Sequence, residues 1–226
     1  MITLNNKDEA YTQIKEKIIT LEILPGQKVS KKDFVSMLNI GDTPVREAIL
    51  QLTREGLLIV KPQSGTFVSK IDMQKVREAK FVRTNLESAV FLEAAEIITA
   101  EQIQEIENLL AIQEILLSSK TPDSFFESDE EFHKFFYTIT SKMNVYNWLL
   151  TLNIHLNRYR HLTLEVKELN WQEIVTQHKE IVAALKEKDK TKLQNLITSH
   201  LKLVDDNYTF VKKEFPDYFV DSNIND

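Results

Sequence analysis

Four glycines occur in this 226-residue chain, at positions 26, 41, 56 and 65, and none follows. Glycine supplies left-handed backbone and tight corners at no steric cost. The first part of the chain must therefore consist of short elements with sharp turns. The remainder, rich in Leu, Ile, Glu and Lys, has the composition of long helices. The shift predicts a domain boundary near residues 70–75: a first domain over 1–70, a linker over 71–76, and a helical domain over 77–226. The expected fold class is mainly α.

Local signals in the first part are dense. Ile14, Ile18 and Leu21 recur at helical spacing, and a Leu-Pro-Gly turn follows at 24–26. Ser30 is placed to cap a helix carrying Phe34, Val35 and Leu38. Gly41 breaks that helix. Thr43 is expected to be the next N-cap, with Pro44 at the first helical position, where its missing N–H costs nothing. Val45, Ile49 and Leu52 form the buried stripe, and Gly56 ends the helix. Residues 57–60 and 66–69 read as strands around a turn at 61–65. Three helices and a hairpin make a winged helix-turn-helix.

The second part reads as five or six helices, near 72–98, 99–117, 121–136, 144–166, 171–186 and 190–210. Val76, Phe81, Leu86, Val90 and Ala94 are expected to face inward on the first, and Thr99 with Gln102 forms a capping box for the second. The tail, 220–226, reads as polar and frayed.

Composition narrows the function classes. The absence of cysteine excludes disulfides, iron–sulfur clusters and thiolate zinc sites. A basic leader before an apolar run is not seen, nor a stretch of roughly 18 apolar residues, so the expected location is cytoplasmic. The net charge is −6, unevenly spread. Of 28 Lys+Arg and 34 Asp+Glu, 11 and 9 fall within residues 1–75, which leaves 17 and 25 for the rest. The acidic total thus belongs to the helical part, while the first part is mildly basic.

In a helix-turn-helix the second helix enters the major groove, and residues of its first turns reach bases and phosphates. Arg46 lies there, pointing away from the Val45/Ile49 stripe. Thr43 offers a hydroxyl beside the open N–H groups of a helix start. Lys31 and Lys32 open the preceding helix, and the turn at 61–65 is a wing tip. The order of these elements points to double-stranded DNA. The run from LPGQKV through TPVREAILQLTREGLL to PQSGTFV resembles the DNA-binding domain of the GntR family of bacterial transcription regulators. That resemblance implies a dimer on a palindromic operator and carries DNA-contact roles to Lys32, Thr43, Arg46 and Gly65. One departure is Asp42, which stands where many members have a basic residue; an acid there cannot pair with a phosphate.

All five histidines lie in the helical part: His133, His155, His161, His178 and His200. Asp129 and His133, four apart, share one helix face. His178 and His200 sit on the apolar sides of the last two long helices. Four N/O ligands from three helices suit a divalent transition metal, zinc foremost, with nickel, manganese or iron as other fits. The competing reading is a set of core histidines hydrogen-bonded to carboxylates. His155 and His161 have no such pairing and read as surface or supporting residues. The motifs RxxLE at 83–87, FxSDxxFHxFF at 126–136, QHKEIVAAL at 177–185 and SHL at 199–201 resemble the FCD ligand-binding domain of the FadR subfamily. The resemblance implies metal ligation by Asp129, His133, His178 and His200, and a small carboxylate effector held by the metal and by basic cavity residues. Arg83 matches a cavity arginine, although a salt bridge with Glu87 is the alternative; Arg160, and less so Arg158, are further candidates.

The resulting expectation is a regulator, a repressor rather than an enzyme, acting as a homodimer without membrane contact, its operator binding set by a small carboxylate at the metal. Catalytic residues are not assigned, because Glu130 and Glu131 are expected to point away from the Asp129 face. Two other readings remain open: a metal-dependent hydrolase with a vestigial DNA-binding module, and a metal-free regulator sensing an acyl ligand.

Overall fold

The computed structural model describes residues 6–119, 121–167 and 169–221, so the end of the tail read as frayed, 222–226, lies outside the described residues. The chain divides into two units, Met1–Met73 with Phe215–Asp226, and Gln74–Glu214.

The first unit begins with α1 (Asn6–Ile19), β1 (Lys28–Val29) and α2 (Lys31–Leu38), followed by α3 (Asp42–Arg54), β2 (Leu58–Lys61) and β3 (Gly65–Val68). Helix α1 packs on α3. Ala10, Ile14 and Ile18 from the one, and Val45, Ala48 and Leu52 from the other, are fully buried. Ser30 caps α2 as expected: its hydroxyl accepts from the Asp33 N–H at 3.3 Å while the Asp33 carboxylate accepts from the Ser30 N–H at 2.8 Å. Asn39 ends the helix in the left-handed region, at φ 53°, a conformation asparagine tolerates.

Helix α3 starts earlier than expected. Its N-cap is Gly41, which has no side chain to offer, and Asp42 is the first helical residue. Thr43 and Pro44 are therefore second and third. Proline is still tolerated there because the N–H groups of the first turn have no intrahelical partner. Asp42 suits the positive end of the helix dipole, and its carboxylate accepts from Lys31 Nζ at 2.7 Å.

The sheet has the order β1-β3-β2 and is antiparallel throughout. Strand β1, two residues long, is too short to show any periodicity in the sequence. Gly65 opens β3 at φ +118°, and a Cβ there would lie 2.8 Å from Lys28 Cε. The Lys28 side chain can swing aside, so it is the positive φ that favours glycine at this wing position.

At the back of α1, Tyr11 Oη donates to Glu55 at 2.7 Å, and Lys15 Nζ donates to Tyr11 Oη at 2.7 Å and to Glu55 at 3.1 Å. Partial burial alone would raise the Glu55 carboxyl, but the bonds from Tyr11 and Lys15 and the lysine charge hold it below its usual range. A depressed folded-state carboxyl contributes stability above the unfolded-state value and loses it as pH falls. Glu55→Gln is therefore expected to flatten the stability loss of the wild type as pH drops below the ordinary glutamate range. Urea midpoints for the two proteins across that range measure the difference, and parallel curves would remove Glu55 from the account.

The tail departs from the expected division. The helical domain is expected to run to 226, yet the described tail residues 215–221 group with the first unit. After a short 3-10 helix, Pro216–Tyr218, the chain forms a parallel bridge between Phe219 and Ile71. The Ile71 N–H donates to Tyr218 O at 2.8 Å, and the Val220 N–H donates to Ile71 O at 2.9 Å. Ile71 and Phe219 are both buried. Phe219 lies one residue before the stretch read as frayed, 220–226. Phe219→Leu, a near-conservative change in a packed site, is expected to cost up to about 1.5 kcal/mol, read as a lower urea midpoint.

The second unit is formed by α4 (Met73–Ile97), α5 (Ala100–Ser119), α6 (Pro122–Ile139), α7 (Met143–Leu152), α8 (Ile154–Glu165), α9 (Trp171–Glu187), α10 (Lys190–Asp206) and α11 (Tyr208–Glu214). The Thr99–Gln102 capping box is present. Two of the expected helices are each divided, at Asn153 and at Asn207, so eight α-helices replace five or six among the described residues. Phe91, Phe132, Phe136, Leu149, Ile181 and Leu185 form the centre of the core. Phe81, expected inward, is 70% exposed. The buried stripe of α4 runs through Val76, Ala79, Arg83, Glu87, Val90 and Ala94, and Phe81 lies about 140° around the helix from Val76. Two charged residues hold the inward positions instead.

Candidate metal centre and adjoining cavity

Helix α6 buries Phe125, Phe126, Asp129, Phe132, His133, Phe136 and Tyr137, the repeat of one helix face. Asp129 and His133 interrupt that stripe with polar side chains, beside the buried Ser128. Helix α9 delivers His178, stacked on the Phe132 ring at a centroid distance of 3.8 Å, and α10 delivers His200. The structure brings all four side chains together: one donor atom from each lies within 4.8 Å of every other, and all four are buried. His200 Nε2 is 3.3 Å from both His178 Nε2 and His133 Nε2. Asp129 Oδ1 is 3.6 Å from His178 Nε2, and Oδ2 is 3.9 Å from His133 Nε2.

The outer nitrogens fix the state of the inner ones. Gln113 is fully buried and its amide Nε2 donates to Ser128 O at 3.1 Å, which turns its Oε1 toward His178 Nδ1 at 2.9 Å. An oxygen can only accept, so Nδ1 carries the proton and Nε2 presents a lone pair inward. His200 Nδ1 meets Gln177 Oε1 at 2.9 Å. His133 Nδ1 faces Glu87 Oε2 at 2.9 Å, a close contact rather than an aligned hydrogen bond. Burial, with the neighbouring histidines next in effect, holds His178 and His200 well below the usual imidazole range, and both are neutral at pH 7. Converging lone pairs at 3.3 Å repel one another unless a cation lies between them. For a tetrahedral ion about 2.0–2.1 Å from each nitrogen, neighbouring nitrogens are about 3.3–3.4 Å apart. The donor set fits a divalent transition metal, and the oxygen partners on the outer nitrogens are those that orient metal-bound imidazoles.

A layer of charge surrounds this cluster. Arg83 Nε donates to Glu87 at 2.7 Å and its Nη1 to Glu130 at 3.2 Å. Arg160 donates to Glu130, Asn157 and Asp129. Glu130, expected to point away, is drawn inward by these two guanidiniums. Burial alone would raise the Glu87 carboxyl, but chiefly the Arg83 charge brings it down to about 2. Arg83 is held far above its usual value: the charges of Glu87, Glu130 and Asp129 outweigh burial, which is the largest single influence and opposes them. Two guanidiniums therefore meet three carboxylates, an excess of one negative charge that a cation would offset.

A cavity of about 80 Å³ adjoins the four donors. By the measure in which a single water needs roughly 10–15 Å³, it holds a small organic molecule. Asp129, His133 and His200 line one end with Arg83, Arg160 and Lys80. Phe125, Phe126, Leu156, Leu164, Ile174, Leu201, Leu203 and Val204 line much of the rest. The Arg160 guanidinium lies 4.6 Å from the Phe126 ring centre. Arg158, the weaker candidate, is fully buried and absent from the lining. His155 and His161 are buried rather than on the surface. His161 stacks on Phe126 at 3.9 Å, and burial pushes its imidazole down to about 4.

On the winged unit, Lys32, Thr43 and Arg46 are exposed and Gly65 is half-buried. Leu50 is also exposed, one turn beyond Arg46 on α3.

Residues 6–68 match the family of bacterial regulatory proteins named gntR, and residues 78–203 match the FCD domain. The chain belongs to the GntR family of transcription regulators. This GntR protein is 30% identical over 211 residues to the HTH-type transcriptional repressor RspR of Escherichia coli K12, covering 93% of this chain and 92% of that one. It is also 30% identical over 216 residues to a Streptomyces ambofaciens HTH-type regulator from an unstable DNA locus, covering 95% and 89%. In solved structures its fold is shared by Escherichia coli McbR/YncC, with a TM-score of 0.77 at 19% identity over 94% of this chain and 100% of that one. A GntR regulator from Rhodococcus matches with a TM-score of 0.68 at 18% identity over 91% and 97%. The GntR and FCD pairing is compatible with the FadR subfamily.

Sequence reasoning missed Gln113, Glu130 and Gln177, which orient or balance the cluster. Gln113 left one signal, a glutamine on the apolar side of α5 between Leu110 and Leu117. Glu130 left none, because its inward turn depends on where Arg83 and Arg160 lie.

Proposed function

We propose that this GntR regulator is a repressor that binds a palindromic operator as a homodimer, and that a small carboxylate at a metal held by Asp129, His133, His178 and His200 controls that binding. The carrying observation is the convergence of four buried donors beside a cavity that three of them line, in a chain whose other unit is a winged helix-turn-helix. The ion, zinc foremost, would supply an anchoring positive charge. Asp129 and the three histidines would hold it, with Gln113, Gln177 and Glu87 keeping the imidazoles in register. Repression is proposed by analogy with RspR, which bears that description. An effector switches the equilibrium only as far as it binds one dimer arrangement more tightly than the other.

The hydrolase reading needs a free general base at the cavity. Asp129 is the only carboxylate lining it among the described residues, and Arg160 bonds to that carboxylate. This favours a seat for a ligand over a site for turnover.

On the DNA side, Arg46→Ala is expected to lose about 1–3 kcal/mol of operator binding and to relax base preference at one position per half-site. Lys32→Ala should weaken all sequences alike and lower the slope of log K against log salt by about 0.9. Mobility shifts with the gene's own upstream region at several salt concentrations measure both. Retention of full affinity by both variants would remove this face from the interface. Metal analysis of the purified protein and the effect of added carboxylates on the same shift test the sensing half.

A further inference from the structure

We infer that the cavity beside the four-donor cluster selects a monocarboxylate with a compact apolar body, a branched aliphatic or small aromatic acid, over dicarboxylates and polyhydroxylated acids. This rests on the metal and carboxylate reading above and specifies its ligand class.

Charge sets the number of carboxylates. At the polar end Arg83, Glu87 and Asp129 are buried and Arg160 and Glu130 half-buried; these five carry one negative charge in excess, and Lys80, also half-buried there, is held by an interaction of its own. A divalent cation turns that into one net positive charge. A single carboxylate neutralises it; a second would be buried without a partner, which is strongly unfavourable. The cations that could receive a second carboxylate are already committed. Arg83 is bound by Glu87 and Glu130, and Arg160 by Asp129 and Glu130. Lys80 is not free either.

Hydrogen bonding disfavours the hydroxylated acids. Two hydroxyl groups line the cavity, and both donate within the protein: Tyr159 Oη to Val204 O at 2.9 Å, and Thr163 Oγ1 to Tyr159 O at 3.0 Å. Apart from these and the half-buried Asn207, this part of the wall is apolar: Phe125, Phe126, Leu156, Leu164 and Ile174. A hydroxyl pressed on such a wall loses its water and gains no partner. A methyl or phenyl group in the same place gains by leaving water.

The test uses the full chain loaded with zinc and isothermal titration with three small acids. Isovalerate and glycerate have the same number of heavy atoms, apolar in the one and hydroxylated in the other; succinate adds a second carboxylate. Isovalerate is expected to bind at least about tenfold more tightly than either. Equal or tighter binding of glycerate or succinate, or binding of none of the three, overturns the inference. Ile174→Lys places a cation in the half-buried part of the wall and is expected to reverse the preference toward succinate; an unchanged ranking would count against it as well. Elemental analysis of the same samples separates the two levels. A protein without zinc refutes the metal site, while the isovalerate-to-glycerate ratio still reads the apolar wall.

Discussion

His178→Ala is expected to leave the purified protein without stoichiometric metal while it remains folded. His178 is fully buried, and its Nε2 faces both His200 Nε2 and the Asp129 carboxylate. Its removal deletes one donor of four and frees the Gln113 amide oxygen from its only side-chain partner. Removing an orienting partner alone costs about 10–100-fold in metal affinity. Gln113→Leu should therefore fall in that range, and His178→Ala below it. Competition against a chelator of known affinity reads the ordering, and circular dichroism checks the fold. If both variants hold metal as tightly as the wild type, the four residues are a polar cluster in the core.

The second large effect is expected at Arg83. Arg83→Leu strands the buried Glu87 and weakens the support of the half-buried Glu130. Breaking a buried pair from one side costs about 3–5 kcal/mol, because the remaining charge has lost its partner. Replacing both partners with apolar residues is often close to neutral. The double variant Arg83→Leu/Glu87→Leu should accordingly recover much of the loss, although His133 then lacks its outer carboxylate and metal binding stays impaired. Urea unfolding of the single and double variants gives the stability comparison, and the chelator competition gives the second readout. Additive losses in the double variant would mean that the two side chains do not act as a pair. The result also bears on the effector: an arginine this firmly held by acids of its own protein anchors the cavity wall and has little capacity left for a ligand.

Much of this was legible before any tertiary structure. The glycines at 26, 41, 56 and 65, Ser30 before Asp33 and the Thr43-Pro44-Val45-Arg46 entry are signals read within a few residues, and they specify the winged unit. Asp129 and His133, four apart in a phenylalanine stripe, announced half of the cluster, since helical spacing alone puts them on one face. The misreadings share a cause. Phe81 was placed inward because it is large and apolar, but the turn of α4 on its neighbours gives that arc to Arg83 and Glu87. The helix start at Asp42 moved by two residues because Gly41 takes the extended conformation there. Glu130 reads as pointing away from the Asp129 face because it is the next residue along the helix.

Local chemistry, acting within about two helical turns, determined the element types, the caps, the wing and the presence of histidines on apolar faces. Only tertiary packing decided that His178 and His200, 65 residues from Gln113 and 67 from His133 respectively, meet with their lone pairs inward, that two arginines are spent on three acids, and that the tail returns to Ile71. The reason is physical: spacing along a helix sets which side chains share a face, whereas the partner of that face is set by how several helices jointly exclude water, a property no single segment carries.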